Sequence, residues 1–108
     1  MHTTYTSVLA RRIRIDSDYA TLPYEAGWAS EAVFFTQVEG DHPVLEVSTE
    51  VSPDGVNWVR RGDPQTLTAD ESIVESTLTV FGNWVRLRIT GAHEHTPARV
   101  LVHLNLKG

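Results

Sequence analysis

The sequence predicts an all-β fold, a single antiparallel β-sandwich or jelly roll of about seven or eight strands. Apolar and polar residues alternate with a period of two over several runs, which is typical of half-buried strands. Turn-forming residues separate these runs, and no helical periodicity is evident. The 108 residues suit one domain, so residues 1–108 are interpreted as one sandwich, with room for a flexible arm at residues 1–6.

The first third of the chain has the least regular pattern. In SVLARRIRID, Leu9, Ile13 and Ile15 share a strand face that Arg11 interrupts. Residues 16–30 show no alternation and are interpreted as a long ordered loop. The run EAVFFTQVEG is apolar on both faces, which predicts a central strand or one covered by a partner. Its apolar residues are Val33 and Phe35 on one face, and Ala32, Phe34 and Val38 on the other.

Strict alternation predicts three strands further along the chain. Their inward residues are Leu45, Val47, Thr49 and Val51 in the first, Val85, Leu87 and Ile89 in the second, and Val100, Val102, Leu104 and Leu106 in the third. Shorter strands are predicted at NWVRR, at QTLTA and across residues 73–80. Turns are expected at 40–43, 53–55, 62–64, 82–83 and 91–97.

One hairpin carries a motif. Ser52, Asp54, Gly55 and Trp58 form a Ser-x-Asp-Gly-x-x-Trp sequence, in which Asp-Gly predicts a tight turn with positive φ at the glycine. Trp58 is expected to cover the core just beyond the turn.

Together with the later Val-Arg-Leu strand of residues 85–87, this motif resembles discoidin-like (galactose-binding-like) β-sandwiches and small β-sandwich proteins of phage particles. The likeness spans residues 44–91. It implies a sandwich, whereas discoidin-like ligand contacts lie in loops that the motif does not include. The chain also departs from that family in its shorter length and its lack of terminal cysteines.

Composition excludes several classes of function. With no cysteine, the chain has no disulfide, iron–sulfur cluster or cysteine-ligated zinc. A formal net charge of −5 argues against a nucleic-acid partner. No apolar run approaches the ~20 residues of a membrane span, so no membrane partner is expected. The N-terminus lacks the order of a signal peptide, which favours a cytoplasmic or virion- or particle-associated protein over a secreted one.

Catalytic motifs are absent from the sequence. It contains no nucleophile motif, phosphate-binding loop or dinucleotide fingerprint. We therefore expect a protein that is not an enzyme and uses no cofactor.

Metal binding has one candidate in the loop that follows residue 90. His93 and His95 form a His-x-His pair that would point both rings the same way in a strand, with Asp41, His42 or Glu94 as a third ligand. The alternative is a polar loop with solvated histidines. The sequence favours this alternative, because no second close histidine pair completes a site.

Acidic residues suggest two further sites, each with a simpler interpretation. Loop carboxylates suit Ca²⁺ but lack EF-hand spacing, so solvated turn residues are favoured; they are Asp16, Asp18, Asp63, Asp70 and Glu71. Glu46 and Glu50 suggest glycoside hydrolysis, although cross-strand ion pairs explain them better. The available arginines are Arg12, Arg14, Arg86 and Arg88.

The favoured function is a structural or assembly module that packs with copies of itself or with another structural protein, on a particle or filament. The alternative is a carbohydrate-binding module that uses end loops, with or without Ca²⁺. Tyr24 and Trp28 fit three roles: closing the core, anchoring an interface or stacking on a sugar. The interface candidates are Tyr24, Trp28, Phe34, Phe35, Arg11, Arg12 and Arg14.

Overall fold

The computed structural model describes residues 4–108. These residues form nine strands: β1 (Thr4–Ile15), β2 (Tyr19–Ala20), β3 (Tyr24–Glu25), β4 (Glu31–Glu39), β5 (Leu45–Ser52), β6 (Val59–Leu67), β7 (Ile73–Thr79), β8 (Trp84–Thr90) and β9 (Ala98–Lys107). No helix occurs in the described part of the chain, and therefore none there that could cross a membrane.

The strands form two antiparallel sheets. In the first sheet the order is β1-β9-β4-β7. In the second it is β2-β8-β5-β6, and β3 also pairs with β8. Buried side chains from both sheets form a single hydrophobic cluster between them. The all-β sandwich that the sequence predicts is therefore confirmed.

The core lies where the strictest alternation predicts it. The inward residues of β5, β8 and β9 are all buried, including Leu45, Leu87 and Leu104, which are fully enclosed. Their backbone pairings are regular between β5 and β8 and between β4 and β9, so the period of two is preserved along each strand. An unbroken register keeps every second side chain on the core face.

β4 is a central strand, flanked by β9 and β7. Its residues alternate between buried and half-buried, so Phe34 is fully enclosed in the core while Phe35 lies on the outer face of the first sheet. Phe34 is therefore a core residue, and its assignment as an interface candidate is wrong. Phe35 retains a partly exposed ring.

β1 begins earlier than the sequence predicts, and its pairing with β9 is irregular. Residues 4–6 are paired with β9 and are not a flexible arm, while residues 1–3 lie outside the described part. Two register irregularities, between Val8 and Ala10 and between Ala10 and Ile13, shift the inward face. Ala10 and Ile15 are consequently the buried positions, while Leu9 and Ile13 are only half-buried.

Two other local predictions are corrected. The long loop at 16–30 contains β2 and β3, which extend the edge of the second sheet against β8. NWVRR and QTLTA belong to one strand, β6, because the predicted turn at 62–64 is a bulge opposite Ser48. Gly62 takes a positive φ there, and Pro64 is tolerated because β6 is an edge strand.

Candidate functional site

The Ser-x-Asp-Gly motif builds a closely hydrogen-bonded turn between β5 and β6. The buried Ser52 hydroxyl accepts hydrogen bonds from the backbone N–H groups of Asp54 and Gly55, at 3.2 and 2.8 Å. The Asp54 carboxylate accepts from the backbone N–H groups of Asn57 and Val56 and from the Asn57 side chain, all within 2.9 Å. These donors hold the pKa of Asp54 far below its ordinary value, first through the Asn57 backbone.

Gly55 has the predicted positive φ, at +79°. The Trp84 ring would lie 3.4 Å from a Cβ at this position, so the indole covers the turn. The turn is occupied by its own hydrogen bonds and by Trp84, and it therefore supports the fold and offers no ligand site.

Trp58 lies half-buried outside the core, contrary to the prediction. Val59, the next residue, pairs with the inward-facing Val51, so alternation directs Trp58 to the outer face. There the Arg86 guanidinium lies 4.2 Å from the centroid of the indole ring. Arg86 Nε also donates to Glu50 Oε1 at 2.6 Å.

This ion pair is one of the cross-strand pairs that the sequence favours over glycoside hydrolysis. Glu46 faces Thr90 on β8 and Thr66 on β6, at a distance of four residues from Glu50 along β5.

The histidine candidates are not arranged as a metal site in the described part of the chain. His93 and His95 are exposed, and His93 exchanges two backbone hydrogen bonds with Thr96. The His42 ring nitrogens lie 2.7 and 2.6 Å from the carbonyl oxygens of Pro43 and Glu71. Across residues 4–108, no group of three or more His, Asp or Glu side chains is arranged to hold a metal ion.

Most of the acidic loop residues already have partners. Asp16 and Asp18 pair with Arg14 and Arg88, at 3.0 and 3.4 Å. Hydrogen bonds from the Thr68 hydroxyl lower the pKa of both Asp70 and Glu71. Asp63 lies in the β6 bulge.

A cavity opens between two end loops. It has a volume of about 360 Å³ and is lined by Asp41, His42, Pro43, His95, Thr96 and Pro97. Sequence spacing places Asp41 and His42 about fifty positions from His95, so only the fold brings them together. Neither Tyr24 nor Trp28 belongs to this lining.

The aromatic interface candidates lie elsewhere. Tyr24 is half-buried against the core on β3, and its ring centroid is 6.4 Å from that of Tyr5. Trp28 is half-exposed beside the C-terminal Gly108. Tyr24 therefore helps to close the core, whereas Trp28 leaves part of its ring accessible to a partner.

The arginine candidates mark the β1 edge. Arg11, Arg12 and Arg14 are all exposed. Arg12 Nε donates to Glu39 Oε1 at 2.6 Å, and Arg14 pairs with Asp16. Arg12 also has a positive φ of 49°, in the irregular part of the strand.

The outer face of the first sheet carries several apolar side chains that are exposed or half-buried. We define the open face by its five apolar side chains: Val8, Val33, Phe35, Ile73 and Leu101. Val8 and Phe35 both lie opposite His103, and Ile73 and Leu101 both lie opposite Gln37. The side chains of Val8 and Ile73 are 37% and 50% exposed.

The sequence identified Val33 and Phe35 but missed the other three members of the open face. Val8, Ile73 and Leu101 come from strands that are distant along the chain. Each of these strands has an apolar residue at an outward position, and the sequence shows this. That the three residues share one face follows only from the strand order.

Sequence comparison identifies the family of this chain. A family model described as "Domain of unknown function (DUF6385)" matches residues 28–108, which is well over half of the chain. The chain therefore belongs to this family. A search of curated proteins finds no match.

Solved structures with the same fold include proteins of phage and virus. The PBSX exported protein XepA matches with a TM-score of 0.73 and 10% identity, over 94% of this chain and 36% of that one. The VP2 subviral particle of infectious bursal disease virus matches with a TM-score of 0.64 and 9% identity, over 98% and 33%. Tripeptidyl peptidase 2 matches with a TM-score of 0.60 and 8% identity, over 95% and 10%.

At these identities the likeness shows the fold alone. The chain spans about a third of the length of XepA and VP2 and a tenth of the peptidase. The sequence resembles small β-sandwich proteins of phage particles, and the shared fold of phage and viral proteins agrees with that resemblance. The family model that matches the chain is not a discoidin one.

Proposed function

We propose that the chain is a non-catalytic structural module that assembles with copies of itself, or with another structural protein, in a larger particle or filament. The open face carries this proposal. The outer face of a two-layer antiparallel sandwich is ordinarily polar, because water covers it.

The two outer faces of this sandwich differ in that respect. On the second sheet, the outward residues of β5 and β8 are largely polar, and they include the ion pair of Glu50 with Arg86. On the first sheet, Phe35 and Val33 share the outer face with Leu101 and Val8, and the polar residues His103 and Gln37 lie between them. Exposed apolar side chains grouped on one face are typical of a site that contacts another protein.

The segment of residues 16–30 does not supply a cover for the open face. Its two strands, β2 and β3, hydrogen-bond to β8 and so belong to the opposite sheet. A second subunit is therefore the cover that we propose.

Two further observations support a structural role. Among the described residues, two carboxylates are engaged in interactions that support the fold: Glu50 pairs with Arg86, and Asp54 is held by its own turn. VP2, which has the same fold, is a protein of a subviral particle. The proposal extends that kind of role to this chain.

The test measures mass in solution. Size exclusion with light scattering, at tens of micromolar, is expected to give a mass above the 12.1 kDa of one chain. Phe35→Arg should lower the measured mass, because a cation would then have to be buried in the apolar contact. Leu22→Arg is the matched control, since Leu22 is 81% exposed and lies outside the open face.

The control should assemble like the wild type, and thermal unfolding of both variants should show that they are folded. A strictly monomeric wild type at these concentrations would contradict the proposal. Electron microscopy of the same samples would show whether the assembly is closed or a filament.

A second candidate function is carbohydrate binding through the end loops, and the cavity beside His42 and His95 favours it. A sugar site is usually built on an aromatic platform, which this lining lacks. A glycan array separates the two candidates: specific binding by a monomeric protein would favour the carbohydrate-binding module.

A further inference from the structure

The sandwich has several free sheet edges, and most of them are protected against pairing with another chain. β1 has two register irregularities and exposes Arg11, Arg12 and Arg14. β2 and β3 are only two residues long each. β6 has a bulge that contains Gly62 and Pro64. Bulges, charges, prolines and short strands are the usual means by which proteins prevent edge pairing.

β7 is the least protected of these edges: it carries one charge, Glu75, and at its C-terminal end Arg61 donates to the carbonyl oxygens of Thr79 and Val80. It runs through seven residues, IVESTLT, with no glycine, proline, lysine or arginine. Its pairing with β4 is unbroken from Ile73 to Thr79. The strand is also rich in β-branched residues, which favour extended structure.

The pairing of β7 with β4 determines which backbone N–H and C=O groups of β7 point to β4 and which point to the free edge. The Val38 N–H donates to the Ser72 carbonyl at 2.9 Å. The two residues are opposite each other when the register is extended by one residue beyond Gln37 and Ile73. Hydrogen-bonded positions alternate in an antiparallel pair, so the even-numbered residues of β7 bond to β4. The odd-numbered residues, from Ile73 to Thr79, therefore direct their N–H and C=O groups to the free edge.

An independent contact agrees with the direction inferred for the odd-numbered backbone groups. Arg61 Nη1, from β6 of the opposite sheet, donates to the Thr79 carbonyl at 3.2 Å. The Thr79 carbonyl therefore points away from β4, and it retains a second lone pair for another donor.

We infer that β7 pairs antiparallel with β7 of a second copy, around a two-fold axis at Ser76, and joins two four-stranded sheets into one of eight strands. The inference rests on the proposed function, because it names one contact through which copies assemble.

The register around Ser76 is favoured by both backbone and side chains. It places Ile73 opposite Thr79 of the second copy and Glu75 opposite Thr77, so the free odd-numbered groups meet each other. Ser76 faces itself, and Val74 faces Leu78, on the side that continues the core. A register centred on Glu75 would instead place two carboxylates directly opposite each other, which is destabilising.

A second copy suits this edge because the pairing is self-complementary. The same seven residues supply both strands, and each contact occurs twice about the axis. The two Glu75 carboxylates lie apart in this register, each beside a neutral threonine.

A charge test at residue 77 probes the register directly. Thr77 is exposed on the outer face. Thr77→Lys would create two Lys–Glu75 pairs across the axis, whereas Thr77→Glu would create two like-charge pairs. We expect the dimer dissociation constant, measured by sedimentation equilibrium, to fall several-fold in the lysine variant and to rise several-fold in the glutamate variant.

Adding Glu75→Lys to Thr77→Glu restores opposite charges and should return the dissociation constant toward that of the wild type. Glu75→Lys combined with Thr77→Lys separates the register from a general effect of net charge. This variant makes the chain less negative, yet it places two lysines opposite each other on both sides of the axis, so its dissociation constant should rise if the register is correct.

A cross-linking test is available because the chain has no cysteine. In the inferred register, the Ser76 Cα atoms form a non-hydrogen-bonded pair about 4.5 Å apart, which is within disulfide range. Ser76→Cys should therefore give a covalent dimer on mild oxidation. Val74→Cys is the control. In this register Val74 lies opposite Leu78 of the second copy, so the two cysteines would be four residues apart along the strands and could not form a disulfide.

The outcomes separate this inference from the proposed function. Assembly that is insensitive to the charges at residue 77, and that gives no Ser76→Cys cross-link, would overturn the β7 pairing and leave assembly through the open face intact. A wild-type protein that stays monomeric would overturn both.

Discussion

Gly55 illustrates how a single residue fixes the β5–β6 turn. Its φ of +79° lies in the left-handed region, and the Trp84 ring lies against the space where a Cβ would project. Ser52 and Asp54 hold the same turn from either side by accepting backbone N–H groups. The Asp-Gly dipeptide therefore predicts the turn well, because the conformation is required locally.

We predict that Gly55→Val destabilises the protein by about 1–3 kcal/mol, since a β-branched residue is strained at positive φ. Val56→Ala, in the next position, should change stability by no more than about 0.5 kcal/mol because Val56 is highly exposed. Urea unfolding of the two variants gives the comparison. Equal effects would show that the turn is not constrained at Gly55.

At the scale of elements, prediction from sequence succeeded where strands pair without irregularities. The inward faces of β5, β8 and β9 follow directly from alternation. β1 and β6 were predicted less well, because each bulge shifts the side chains that follow it. Gly62 and Pro64 resemble a turn in the sequence, and only the pairing of β6 with β5 distinguishes a bulge from it.

The candidate site was only partly predictable for a related reason. Phe34 and Phe35 are both apolar, so the sequence alone does not show which ring faces the core. That choice depends on the register of β4 between β7 and β9. The companions of Phe35 on the open face depend on strand order, which local patterns do not encode.

β8 offers a test of face assignment within one strand. Leu87 is completely buried, so Leu87→Ala should cost roughly 2–5 kcal/mol through lost burial and the cavity left behind. Arg88→Ala is the control from the outward face, where an exposed ion pair with Asp18 is worth at most about 1 kcal/mol. Chemical denaturation measures both. A loss for Leu87→Ala well below this range would contradict the assignment.

At the scale of the whole molecule, the two surfaces proposed for assembly are adjacent. The open face covers the outside of the first sheet, and β7 forms one edge of that same sheet. Pairing of two β7 strands would place two open faces in one continuous surface, with Ile73 of each copy close to the junction. Edge pairing would thereby enlarge the apolar area available to a further subunit.

The distribution of metal-ligand side chains also emerges only at this scale. Asp16 and Asp18 each pair with an arginine, Glu71 accepts hydrogen bonds from Thr68, and His93 and His95 occupy an exposed loop. Because no three such groups among residues 4–108 are arranged to hold a metal ion, we predict that elemental analysis of the purified protein finds far less than one zinc, nickel or calcium ion per chain. Replacing both histidines by alanine should leave the melting temperature and the oligomeric mass unchanged, with or without a chelator. Stoichiometric metal that disappears in this double variant would contradict the prediction and establish His93 and His95 as ligands, completed by donors that only assembly brings together.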